Sequence, residues 1–196
     1  MTALKKIMIA LLTFFLLFTL HQSVSAEGKI DYEANIDDFV NNPNSKYRID
    51  ELIQNDSFKY VLGRFLGKDS DDEITWNELN EAINENNGDF DSYMDLYLNE
   101  EGDTEAFKIF KNTKVTALPW ITLTYDKNLD FLDPTTFPEL KKLHLTGHSL
   151  THADLAGFSK LESLVISGDD IAYLDISDST QLKELLITAG KIDTFD

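Results

Sequence analysis

The 196-residue chain carries 35 acidic against 17 basic side chains, a formal net charge of -18, and no cysteine. So acidic a surface repels phosphate backbones and anionic lipid, which argues against nucleic acid or membrane as partner and favours a basic one. Without cysteine there is no disulfide, no thiol catalysis and no Cys-type zinc site, so stability must come from a packed core.

In chain order, the first expected element is a signal peptide over residues 1–26. Lys5 and Lys6 precede the apolar run Ile7 to Leu20, and Val24-Ser25-Ala26 offers small residues for cleavage. The run has 14 residues, whereas a membrane-spanning helix needs about 20. Its removal takes Lys5 and Lys6 with it and moves the net charge from -18 to -20. The mature product is therefore expected to be secreted or at a bacterial cell surface.

Residues 27–113 have a helical texture. Phe58, Val61, Leu62, Phe65 and Leu66 recur at helical spacing behind Asn55 or Asp56 as cap. Similar spacing predicts helices near Tyr32–Val40, from Trp76 through Leu79 and Ile83, and over Phe90–Leu98 with Tyr93, Met94 and Tyr97. Asn87-Gly88 and Glu101-Gly102 supply stops.

Between the second and third of these helices lies GKDSDDEITWNEL, Gly67 to Leu79. With Ile74 at the eighth place of an EF-hand loop, Asp69 falls third, Asp71 fifth, Glu73 seventh and Glu78 twelfth. Two requirements fail: Gly67 at the first place has no ligand, and Asp72 stands where glycine makes the sharp turn. Thr75 and Glu78 also read as a capping box starting the next helix, with no ion required.

The second half repeats itself. LKKLHLTGHSL (Leu140–Leu150), LESLVISGDDI (Leu161–Ile171) and LKELLITAGKI (Leu182–Ile192) put Leu or Ile at places one, four, six and eleven, with a period of 21. LPWITLTYDKNL (Leu118–Leu129) keeps the first three matches, its last leucine displaced by one. Places four and six alternate inward as a strand requires, and Leu174 and Ile176 alternate again on the return. The ninth place holds Asp126, His148, Asp169 and Gly190, which predicts an irregular corner.

This pattern resembles the leucine-rich repeat. Together with NDSFKYVLGRFLGKDSDDEITWNELNEAI upstream, in an exported chain, it is similar to the bacterial internalins and their relatives. The match is carried by Phe58, Val61, Leu62, Phe65, Leu66, Ile74, Thr75, Glu78 and Leu79. The resemblance implies an α/β fold: a short leucine-rich-repeat right-handed solenoid over residues 114–196 behind an all-helical N-terminal cap. It also implies a non-enzymatic protein-binding module of adhesin or receptor-recognition type; from the residues themselves no cofactor or metal is expected.

In such a horseshoe the third, fifth and seventh places of each strand face the concave surface. The third-place column is Trp120, Lys142, Ser163 and Glu184, and the fifth is Thr122, His144, Val165 and Leu186. The seventh is Thr124, Thr146, Ser167 and Thr188, residues that also suit strands without binding anything. Binding is expected from Trp120, Thr122, Lys142, His144, Val165, Glu184 and Leu186, toward a protein or glycan ligand. The alternative for Trp120 is packing on the cap. His144, His148 and His152 share a four-residue spacing that would suit zinc on a helix but points them apart on a coil. No hydrolase or phosphate-loop motif occurs. Two further readings remain: an assembly protein influenced by calcium at Asp69, Asp71 and Glu78, and a fragment of a longer surface protein self-associating through an uncapped last coil.

Overall fold

The computed structural model describes residues 29–90, 94–99, 101–124, 129–148 and 150–195. The leader segment, Tyr93 and Asp126 lie outside them.

The N-terminal part is built from α1 (Tyr32–Asn41), β1 (Tyr47–Arg48), α2 (Ile49–Leu52), α3 (Asp56–Leu66), β2 (Glu73–Ile74) and α4 (Trp76–Glu85). Each helix start has a local cause. The Asp31 and Asn55 side chains accept from the amides of Ala34 and Phe58, and Thr75 with Glu78 forms the expected capping box ahead of α4. Helix α3 stops at Gly67, which adopts the left-handed conformation with φ 67°. β1 and β2 pair antiparallel, Tyr47 opposite Ile74 and Arg48 opposite Glu73, so helices and a small bridge share this region.

A helix over Phe90–Leu98 is not what forms. Asp95–Leu98 is a strand, β3, with Leu96 and Leu98 buried and Asp95 and Tyr97 facing out. A 3₁₀ helix, η1 (Glu101–Phe110), follows and lies against α1.

The remaining strands are β4 (Ala117–Leu123), β5 (Lys142–Thr146), β6 (His152–Asp154), β7 (Ser163–Ser167), β8 (Asp170–Asp175), β9 (Glu184–Thr188) and β10 (Lys191–Phe195). They make a β-solenoid of about four turns. One parallel sheet runs β3-β4-β5-β7-β9 and a second, on the return segments, runs β10-β8-β6. The parallel sheet thus begins with β3, inside the stretch expected to be cap. Leu174 does belong to a second strand, as its alternation predicts.

Between the sheets, Leu143, Leu145, Leu150, Leu161, Leu164 and Ile166 are at most 1% exposed and stack coil on coil. A period of 21 also stacks charges: Glu162 lies between Lys141 and Lys183, and Lys160 reaches Glu139. At the corner, Gly147 and Gly168 donate to Ser167 and Thr188 in the next coil. His148 Nδ1 lies 3.2 Å from Asp169 there, so the ninth-place column keeps contact without asparagine.

Phenylalanines close the front of the solenoid. Phe58 packs on Phe107 at 5.0 Å, Phe90 on Phe110 at 4.6 Å, and Phe107 on Phe131 at 4.8 Å between ring centroids. Helical residues and coils therefore share one continuous core. No helix among the described residues is long and apolar enough to cross a membrane.

Candidate binding surface

Alternation in β5 turns Leu143 and Leu145 inward and leaves Lys142, His144 and Thr146 facing out; β7 and β9 repeat the pattern with other side chains. Parallel pairing then sets outward residues side by side. Trp120 pairs with His144, His144 with Val165, and Val165 with Leu186. Four side chains thus form one row across four strands, about 14 Å long at roughly 4.8 Å per strand.

This row corrects the sequence columns. Ala117 pairs with Lys142 but Trp120 with His144, so β4 takes three steps where β5 takes two. The extra residue is a bulge at Leu118-Pro119, where proline has no N–H to give the ladder. Past the bulge the pairing runs two places off the repeat alignment, so Trp120 leaves the column of Lys142, Ser163 and Glu184 and joins His144, Val165 and Leu186. Thr122 leaves that row and pairs with Thr146. The displacement is two places, an even number, so Ile121 and Leu123 still face the core.

Trp120 is 49% exposed and Leu186 57%, while His144 and Val165 are partly covered. Trp120 is thus not sealed beneath the helical part. Its ring meets that of His144 edge-on, 4.6 Å between centroids and 89° between planes. Burial there holds the His144 imidazole below its ordinary pKa, favouring the neutral ring.

Hydroxyl side chains flank the row on one side: Thr122, Thr146, Ser167 and Thr188, with Tyr97 of β3 next to Thr122. Lys142, Ser163 and Glu184 flank it on the other. Trp120, Lys142, His144, Val165, Glu184 and Leu186 line a single shallow trough. Of the expected binding residues, Thr122 alone lies off it, one row over. Tyr97, 46% exposed, was hidden by the helical reading of its segment, although the alternation of Asp-Leu-Tyr-Leu marks it as outward on a strand.

The histidines do not converge. His144 meets Trp120, His148 meets Asp169, and His152 has Nδ1 3.1 Å from Thr151 Oγ1 beside Tyr173. Among the described residues no group of three or more His, Cys, Asp or Glu is placed to hold a metal ion. In the loop after α3, Asp69, Asp71 and Glu73 are exposed, and Glu78 Oε2 accepts from the Thr75 amide at 2.8 Å. Burial pushes Glu78 up, but hydrogen bonds from the Thr75 amide, Lys68 and the Thr75 hydroxyl outweigh it and hold the carboxyl below its usual range.

The trough offers apolar and aromatic surface rimmed by hydroxyls and single charges, an arrangement suited to covering a partner's surface. Comparison with family models, with curated proteins and with solved structures gave no match.

Proposed function

We propose that the chain is an exported, non-enzymatic binding protein of leucine-rich-repeat type, with an internalin-like plan of helical cap and short repeat array. Its outer sheet face grips a protein partner, with a glycan as the lesser reading. The observation that carries this is the row Trp120, His144, Val165 and Leu186, where apolar side chains occupy outward positions that water would otherwise favour as polar. Trp120 and Leu186 each leave on the order of 100 Å² to be covered, about 2–3 kcal/mol apiece at roughly 25 cal/mol/Å². Rigid strands present these groups at small entropic cost, as binding anchors require. The net charge, -18 for the full chain and -20 without Lys5 and Lys6, steers basic partners toward the molecule, with an association rate that falls as salt rises.

The test is crosslinked capture from a cell-surface fraction, with the wild-type chain and the Val165→Glu, Leu186→Glu double variant as baits. Loss of captured partners by a variant with unchanged circular dichroism supports the reading. Equal capture by both baits overturns it.

A further inference from the structure

The loop after α3 has the frame of a cation-binding loop and already contains a cation. Tyr47 and Ile74 pair across β1 and β2, tying this loop to the one before it. In each loop a glutamate folds back onto the start of its helix: Glu51 Oε2 accepts from the Arg48 amide at 3.0 Å, and Glu78 Oε2 from the Thr75 amide at 2.8 Å. An oxygen loop for a divalent ion uses the carbonyl of its seventh residue and the carboxylate of its twelfth. With Ile74 eighth, those oxygens belong to Glu73 and Glu78. Lys68 Nζ donates to both, 2.6 Å to Glu73 O and 3.2 Å to Glu78 Oε1.

The backbone delivers the lysine there. Gly67 turns the chain through its left-handed conformation, and the Lys68 amide donates back to Gly63 O at 2.8 Å. A side chain at Gly63 would meet Lys68 O at 2.6 Å, so this return is closely packed. Asp72 Oδ2 closes the loop on the Asp69 amide at 2.8 Å, and Lys46 neutralises the outer side of Glu73 at 3.3 Å.

We propose that the Lys68 ammonium is the resident cation of this loop, tethered in the place of a divalent ion, so that the helical region holds its shape without calcium. The expected capping box and the EF-hand-like spacing are then one device: Glu78 gives one oxygen to the helix start and the other to the lysine. This inference is independent of the binding face.

Thermal unfolding in EDTA and in about 10 mM calcium chloride, above the range of the weakest such loops, tests it on wild type, Lys68→Met, Lys68→Gln and the Lys68→Met, Glu78→Gln double variant. Wild type should unfold at the same temperature in both buffers. Each neutral variant should unfold about 2–6 °C lower in EDTA and regain at least half of that loss in calcium. Adding Glu78→Gln should abolish the recovery. The proposal is overturned if the neutral variants match wild type in EDTA, if calcium restores none of their loss, or if calcium raises the melting temperature of wild type.

Discussion

Asn55 shows how much one side chain can join. Its Oδ1 caps α3 through the Phe58 amide at 2.7 Å, and its Nδ2 donates to the Tyr97 carbonyl at 3.0 Å and to Asp103 Oδ2 at 2.7 Å. Asp103 also accepts from the Asn99 amide at 2.6 Å, and both side chains are buried. Asp103→Ala leaves those donors without that carboxylate and should cost about 2–4 kcal/mol in chemical denaturation. Gly88 is a second such point. At φ 82°, a Cβ would run into Lys114 O, and the Gly88 carbonyl accepts from the Thr116 amide at 2.7 Å. Gly88→Ala should therefore destabilise by about 2 kcal/mol or more, read from the denaturation midpoint. His144 favours its neutral form when folded, so the stability it contributes is full at high pH and declines as pH falls below the unfolded value of about 6.5. His144→Gln should remove part of the stability difference between about pH 7.5 and pH 5.5, measured by urea titration. At this scale the cap residues Asn55, Thr75 and Glu78 were legible because their partners lie three residues away. Asp103 was not, since its partner is 48 residues distant.

Strands differ in what they expose even where their sequences look alike. Leu164 and Leu186 both stand in aliphatic runs, yet Leu164 is fully buried and Leu186 is 57% exposed. Leu164→Ala should cost about 2–5 kcal/mol, whereas Leu186→Ala should shift stability by less than about 0.5 kcal/mol and act on binding instead. Parallel chemical-denaturation and capture assays separate the two effects. Legibility follows the same division. Coils with a strict period of 21 could be read from aliphatic spacing, since β5, β7 and β9 pair in that register without a slip. The row containing Trp120 could not, because β4 pairs two places off the repeat alignment, a shift that leaves Ile121 and Leu123 facing the core. Phe90 to Leu98 misled for another reason: apolar residues there satisfy helical spacing and strand alternation at once, and so short a window cannot separate them. Pairing with β4 decides in favour of the strand.

For the molecule as a whole, the decisive element is the cluster joining helices to coils. Phe58, Phe90, Phe107 and Phe110 come from three separate segments and pack together, and Phe107 and Phe110 go on to meet Phe137 ahead of β5, so helices and coils share one core. The long stretch between α4 and β4 holds β3 and η1, and η1 supplies Phe107 and Phe110. Protection is also expected to be graded along the stack. Leu143, Leu145 and Leu164 are covered on both sides, whereas Leu185 and Ile192 in the last turn are 41% and 36% exposed. Hydrogen exchange should be slowest in β5 and β7 and at least about tenfold faster in β9 and β10. Because residue n sits beside residue n plus 21 from β5 to β9, the array also behaves as a ruler. Duplicating one 21-residue unit would lengthen the outward row by one strand spacing, about 4.8 Å, while both ends kept their present neighbours. Reach could thus be altered in whole-number increments without redesigning any contact.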